Sequence, residues 1–440
     1  MTDWHEEYKS KFISAEEAAK FVKSGDRVAF APGREAFAIG LAIASRKEEL
    51  KGVKIFQSTP SYDFGWFNPG WDDSFLVIIG IPTATSQEAS DNKWVDFYTS
   101  DIIPFRNCEL AMDADVLLAE VSPPDELGFC SFGASLWNKK TLIRNAKLTI
   151  AEVNKNLIRT YGDNFIHFSE IDYFVEHVTS GAAPGMGSLG GRELKKPEPY
   201  MKRIVENVSE LIRDGDTIQI GIGRTTEPLV QLGILNGKKD LGVHTEATPP
   251  GIISLVRAGV INGKRKTINR ERVTVTSIGG STKEEMEWVN NNPLFELVDV
   301  EYLEDIRVIA AHDNMVAINN ALAIDLGGQI TAESLGTRYM SAAGGQIPFV
   351  IGALLSKEGR AITVLPSTAQ NGKVSRIVPL HPEGTVVTIQ RNCADYIVTE
   401  YGIAHVRGKT LRQRAQELIN IAHPDFRAEL KQKAHELVGL

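Results

Sequence analysis

The feature that most restricts how this chain can fold is an internal repeat. Residues 21–60, FVKSGDRVAFAPGREAFAIGLAIASRKEELKGVKIFQSTP, align without a gap on residues 211–250, LIRDGDTIQIGIGRTTEPLVQLGILNGKKDLGVHTEATPP, at a constant shift of 190 positions. Seven of the forty positions are identical, and six of these fall in three adjacent pairs. Gly25-Asp26 falls on Gly215-Asp216, Gly33-Arg34 on Gly223-Arg224, and Gly52-Val53 on Gly242-Val243; Pro60 falls on Pro250. The pairs punctuate one progression of helix, turn, strand, turn, helix and strand in both copies. A chain that carries such a unit twice is expected to form two similar open α/β domains, here 1–190 and 191–440. The join is expected within SGAAPGMGSLGGRELKKPEPYMKR, Ser180 to Arg203, where Gly and Pro give way to charge. A helix starting near Tyr200 then opens the second domain.

The apolar runs agree with an α/β class. VKIFQS, SFLVIIG, DVLLAEVS, KLTIAEV, TIQIGIG, RVTVTSIG, AITVLP and DYIVTE lack clean polar alternation. Runs of this kind read as strands covered on both faces, in parallel or mixed sheets with helices outside. Ser14 and Glu17 stand at capping-box positions before the helix-forming AEEAAKFVKS. A net charge of −8 offers no basic footprint for nucleic acid. Cys108, Cys130 and Cys393 lack ligand or disulfide spacing, which fits a reducing compartment. The most apolar run, Ser74 to Pro82, is far too short to span a membrane, and MTDWHEEYKSKF has no signal-peptide core. Cytoplasm is the expected location, with no membrane or nucleic-acid partner.

Within the second repeat, LGVHTEATPP places Glu246 at the end of an apolar strand, and two prolines force a turn after it. The matching residue in the first repeat is Phe56, so the scaffold itself does not require a carboxylate there. Glu246 is therefore the candidate nucleophile or base. His244 shares its strand face, but no third residue at metal spacing accompanies them, so a hydrogen-bonding or packing role is expected for it and no metal site is. Gly221-Ile222-Gly223 follows the strand TIQI and precedes Arg224, Thr225, Thr226, Glu227 and Pro228. A glycine turn between strand and helix can face backbone N–H groups to an anion, though Thr226 replaces the third glycine of a dinucleotide fingerprint. SAAGGQIPFV offers a second glycine loop. Gly344 and Gly345 could present N–H donors as an oxyanion hole beside Gln346, or could simply form a turn. GFCSFGAS around Cys130 has no nucleophile elbow.

LGVHTE, the GGQ of Gly344 to Gln346, GFCSFGAS, and the tail YIVTEYGIAHVRGKTLRQRAQELINIAHPDFRAEL together resemble the acetyl-CoA hydrolase/transferase family over essentially the whole chain. The likeness is greatest to its 4-hydroxybutyrate and butyrate–acetate CoA-transferases. The resemblance implies a pair of open α/β domains, a homodimer or larger assembly, and no permanently bound cofactor, with coenzyme A and acetyl-CoA as substrates. It also implies that Glu246 is a covalent nucleophile in a ping-pong exchange through a glutamyl–CoA thioester. By position, Gly223, Arg224, Thr225, Thr226 and Glu227 match the CoA-contacting loop. Gly344 and Gly345 match the loop at the reacting carbonyl, Lys373 matches a basic position suited to a CoA phosphate, and Asn320 matches a CoA contact.

The chain departs from the family where relatives continue the HTE motif with Met, having Ala247-Thr248-Pro249-Pro250 instead. It has Ile347-Pro348 where relatives place Asp after GGQ. Both changes fall where the acyl group is expected, which leaves the acid open. An acyl-CoA hydrolase using the same glutamate, and a ligand-sensing module without catalysis, are the alternative readings.

Overall fold

The computed structural model describes residues 4–99, 108–178 and 198–440. Residues 180–197, which carry most of the expected linker, lie outside the described residues. The chain divides into two compact units: Met1–Gly191 with Thr276–Glu301, and Arg192–Val275 with Tyr302–Leu440.

The first unit is built on a seven-stranded sheet. Its order is Tyr173–Glu176, Thr149–Val153, Val116–Val121, Arg27–Phe30, Val53–Gln57, Phe75–Ile79 and Asp96–Phe97. Every neighbouring pair is parallel. Val116–Val121 and Thr149–Val153 are buried at every residue, the reason their sequences show no alternation.

In the second unit six strands run in the order Gly402–His405, Tyr396–Thr399, Arg360–Val364, Met315–Asn320, Thr217–Ile220 and Gly242–Thr248. The Gly402–His405 pairing is antiparallel and the others are parallel. Helix Pro199–Glu210 buries Met201, Ile204, Val205 and Val208, one stripe at helical spacing, and packs on Tyr396–Thr399. It begins with proline in its first turn, where the missing N–H has no partner to lose. Helix Gln346–Leu355 covers Met315–Asn320 and Arg360–Val364 and packs on helix Ile306–Ala310. There Gly352 permits close contact: a Cβ on it would lie 2.4 Å from Ile309 Cγ2.

The repeat register is visible in the strands. Arg27–Phe30 and Thr217–Ile220 stand 190 residues apart, as do Val53–Gln57 and the core of Gly242–Thr248. The Gly-Asp pair does the same local work twice. Gly25 and Gly215 hold φ of 84° and 82°, a left-handed turn that disfavours other residues. Asp26 Oδ2 accepts from the Lys23 N–H at 2.8 Å, and Asp216 Oδ2 from the Arg213 N–H at 2.7 Å. Helix Phe37–Ala44 follows the first glycine turn. After the second, the expected helix at Pro228 is a single 3-10 turn, Glu227–Leu229, followed by further turns.

Asp216 differs from Asp26 in one respect: its carboxylate also meets the Arg360 guanidinium, with both residues buried. Asp216→Ala would leave that guanidinium buried without its partner, an effect on the order of 3 kcal/mol. Asp26→Ala removes a half-exposed turn hydrogen bond, about 1 kcal/mol. Urea unfolding of the two variants is expected to separate by that margin; equal midpoints would refute the assigned role of the ion pair.

Candidate active site

Glu246 is the one partly exposed residue of strand Gly242–Thr248, whose other positions are all buried. Thr245, facing the opposite way, ties the strand to its neighbour: its Oγ1 accepts from the Ile220 N–H and lies 3.3 Å from the Ile220 carbonyl. After Thr248 the two prolines lead to Gly251, at φ 97°, which opens helix Ile252–Arg257. The side chain of Glu246 thus projects from the last turn-free stretch of a buried strand.

What lies behind it is neutral. His244 is fully buried, and its Nε2 lies 2.8 Å from the Leu303 carbonyl. A nitrogen facing a carbonyl carries the hydrogen, so the Nε2–H tautomer is assigned from its partner. His312 lies beside it with ring centroids 4.7 Å apart and the rings tilted by 51°. Burial is the main cause holding both imidazoles well below the usual histidine range, with the Lys266 charge adding to it. The Lys266 ammonium itself donates to the Val243 and Arg272 carbonyls and to Thr274 Oγ1. The packing role expected of His244 holds, and the described residues contain no cluster suited to a metal.

The His244 contact anchors Leu303, and the next residue is Glu304. Asp305 then caps helix Ile306–Ala310, its Oδ1 accepting from the Arg307 N–H at 2.8 Å, and turns its side chain outward to Arg307. Glu304 points inward and is fully buried. It converges with Glu246 on Gly345, the residue that heads helix Gln346–Leu355. A Cβ on Gly345 would sit 2.7 Å from Glu304 Oε1 and 2.8 Å from Glu246 Oε2. Burial raises the Glu246 carboxyl above the ordinary range, while the Gly345 N–H and the contact with Glu304 act the other way. Glu304 is pushed up further, by burial first and then by the Glu246 charge.

The second glycine turn lies along the same line of contacts. The Gly221 N–H donates to the Ile318 carbonyl at 2.8 Å and Thr226 Oγ1 donates to the Gly221 carbonyl at 2.5 Å. Asn319 and Gln219 exchange amide hydrogen bonds at 3.0 and 3.1 Å. Asn320 Oδ1 takes a long bond from Thr226 Oγ1, and a Cβ on Gly223 would lie 2.0 Å from that same oxygen. Gln346 Nε2 donates to the Asn320 carbonyl at 3.4 Å. Glu246, Gly345, Gln346, Asn320, Thr226 and Gly223 therefore form a continuous chain of neighbours. Arg224 and Thr225 stand on the loop between, Arg224 exposed, and Glu227 is buried at its end. Gly344 holds φ 52° with open space around its Cα. Lys373 stands on the exposed turn between Thr368–Ala369 and Val374–Ser375. Two surface hollows, one lined by Arg213, Arg360 and Arg407 and one by Tyr200, Asn207 and Tyr401, include none of these residues.

The two departures directly follow Glu246 and Gln346, and Thr248 shares the strand face of Glu246. Ala247 is buried and, as the next residue along the strand, faces opposite to Glu246. Ile347 packs against the cluster formed with Ile397, Leu418 and Ile421. Pro348 falls in the first turn of its helix, where no intrahelical N–H bond is lost. Glu304 was invisible to sequence reasoning, because EYLEDIR reads as a charged surface helix.

Comparison with known proteins places the chain in a class. Models of the acetyl-CoA hydrolase/transferase N-terminal and C-terminal domains match residues 1–181 and 281–434. A 4-hydroxybutyrate coenzyme A transferase from Clostridium kluyveri is 42% identical over 97% of this chain and 98% of its own length. A butyryl-CoA:acetate CoA-transferase from Anaerostipes caccae is 35% identical over 98% and 97%. RipA from Yersinia pestis superposes with a TM-score of 0.90 at 30% identity, covering both chains in full. A 4-hydroxybutyrate CoA-transferase structure from Porphyromonas gingivalis gives 0.78 at 35%, covering 99% of this chain and 100% of that one. The chain belongs to the acetyl-CoA hydrolase/transferase family, and it is a CoA-transferase.

Gly344 and Gly345 differ in what a methyl would do. Gly345→Ala drives a Cβ against both carboxylates at an allowed φ of −76°, so kcat is expected to fall at least tenfold, with an overpacking cost of about 1–3 kcal/mol. Gly344→Ala meets no atom but must hold a left-handed φ, costing about 1–2 kcal/mol of stability with activity largely kept. Steady-state kinetics paired with thermal melts decides; the reverse pattern would overturn this division of labour.

Proposed function

We propose that this CoA-transferase exchanges coenzyme A between acetyl-CoA and short-chain carboxylic acids of the butyrate or 4-hydroxybutyrate type. The named relatives support the acid class. Glu246 supports the mechanism: a carboxylate at a buried strand end, in no ion pair among the described residues, beside an N–H donor at a helix amino end.

The Glu246 carboxylate attacks the acyl-CoA thioester carbonyl and expels CoA thiolate, leaving a mixed anhydride. The thiolate attacks the glutamyl carbonyl of that anhydride, releasing the first acid as its carboxylate and leaving a glutamyl–CoA thioester. An incoming carboxylate reverses both steps and leaves as the new acyl-CoA. No net proton is consumed, and the thioester energy is kept in a covalent bond throughout. Each tetrahedral intermediate carries an oxyanion, and backbone N–H donors at Gly344 and Gly345 are suited to it. The loop Gly223 to Glu227, with Asn320 behind it, is placed to hold the CoA arm, and exposed Arg224 and Lys373 are cations suited to its phosphates. An acetyl-CoA hydrolase from Yarrowia lipolytica, which bears on the hydrolase reading, is 26% identical and aligns over 54% of this chain. We further infer a cytoplasmic homo-oligomer without permanent cofactor. No helix among the described residues is long and apolar enough to cross a membrane.

Acetyl-CoA incubated with butyrate or 4-hydroxybutyrate is expected to yield the new thioester, with little CoA released when no acceptor is present. Borohydride reduction after acyl-CoA exposure should modify the peptide bearing Glu246, and Glu246→Ala should abolish exchange with the fold intact. The reactive form is the carboxylate, and burial disfavours it, so kcat/KM should fall as pH drops through a midpoint above the roughly 4.3 of a solvated glutamate. Steady hydrolysis without acceptor, or an unmodified Glu246, would reject the transferase mechanism.

A further inference from the structure

The second carboxyl at the site has no role in the exchange as described, and its surroundings set a strict condition on it. Glu304 is completely buried, and neither of its oxygens meets an N–H or O–H donor among the described residues. The group it does face is the Glu246 carboxyl, across the bare Cα of Gly345. Two carboxylates in contact repel, and two acceptors cannot satisfy each other. The contact becomes favourable only when one carboxyl carries a proton and donates it.

The environment decides which one. Glu246 keeps some solvent access and lies within reach of the Gly345 N–H at the positive end of a ten-residue helix, which favours its anion. Glu304 has neither advantage. The other titratable groups packed around the pair are His244 and His312, held neutral, and Lys266, whose ammonium is turned to Val243, Arg272 and Thr274. Asp305 and Arg307 pair with each other on the outer side of the turn. Nothing among these groups offers Glu304 a cation.

We propose that Glu304 is a permanently protonated carboxylic acid that donates a hydrogen bond to Glu246 and acts with the Gly345 N–H as the oxyanion hole of the covalent glutamyl intermediate. The proposal rests on Glu246 being the nucleophile. In the resting enzyme the Glu304 O–H holds the nucleophile as an anion in one orientation. When the incoming carboxylate attacks the glutamyl–CoA thioester, a carbon–oxygen bond forms and the carbonyl π pair moves onto the Glu246 oxygen. The Glu304 O–H and the Gly345 N–H receive that charge. Collapse then expels CoA thiolate, and the Glu304 proton is never transferred. A buried neutral acid can serve in this way because an apolar site keeps it protonated at neutral pH.

Two variants of the full-length enzyme separate this role from a structural one. Glu304→Gln keeps shape, neutrality and one donor, so kcat should stay within a few-fold of wild type. Glu304→Leu keeps bulk but removes the donor, so kcat should fall about 100-fold or more, with KM for acetyl-CoA little changed. The acid limb of its pH profile should also move to higher pH, because Glu246 loses a donor that stabilises its charge. Infrared difference spectra of wild type minus Glu304→Gln at neutral pH should show the carbonyl stretch of a protonated acid. That band's absence, or a Gln variant as slow as the Leu variant with an unmoved acid limb in both, would overturn the proposal. If wild type itself gives no borohydride-trapped Glu246, the nucleophile assignment has failed; if it does while the Glu304 results go the wrong way, only this inference has.

Discussion

Two acids pressed against one glycine, without a cation to divide between them, govern the architecture of the second unit. Burying a carboxyl is costly unless it is hydrogen-bonded or neutral, and this unit meets the cost by geometry. Gly345 has no side chain where both carboxyls converge, and Gly352, two turns along the same helix, lets that helix approach Ile306–Ala310 closely enough to bring Glu304 into line. The His244 bond to Leu303 fixes the approach from the other side. Lys266, whose ammonium reaches the strand at the Val243 carbonyl, is held there by two carbonyls and a hydroxyl. An ion pair there would have stabilised the Glu246 carboxylate and lowered its basicity.

The duplication shows how one scaffold was made into two different surfaces. Strand register pairs Val28 with Val116 in the first unit and Ile218 with Val316 in the second, so Glu120 and Asn320 are equivalent positions. Arg34 and Arg224 are equivalent too. In the first unit Arg34 Nε lies 3.2 Å from Glu120 Oε2, and the loop cation is neutralised within the fold. In the second unit an uncharged amide replaces the glutamate and binds Thr226 instead, which leaves Arg224 exposed and in no ion pair among the described residues. The unit that holds Glu246 is the one that keeps a cation exposed on its glycine loop.

Much of this was legible from residues alone because it depends on local backbone demands. Gly25-Asp26 and Gly215-Asp216 announce a left-handed turn and the aspartate that closes it, and the uninterrupted apolar runs announce strands covered on both sides. Glu246 stood out because its counterpart, Phe56, is an ordinary buried residue. Glu304 did not, since burial of one acid within an acidic segment depends on helix packing that pattern cannot report. Of the departures expected to bear on the acid, Ala247 faces away from Glu246 and Ile347 packs on the core, while Thr248 shares the strand face of Glu246. Lys373 matched by motif and stands on an exposed turn.

The contrast between Phe56 and Glu246 also explains why the chemistry could be added without rebuilding the fold. Phe56 is buried edge-to-face against Tyr98, 5.8 Å between centroids, with Ala29 and Ile78 as its apolar partners on the neighbouring strands. At the equivalent place in the second unit, a carboxyl is compatible with the same strand because the imidazoles behind it are held neutral and the Gly345 N–H reaches it. The strand beneath Glu246 is secured by Thr245 and Val243, not by the glutamate, so its side chain contributes little to holding the sheet together. A residue free of structural duty can bond to substrate and be released again without loosening the protein that carries it.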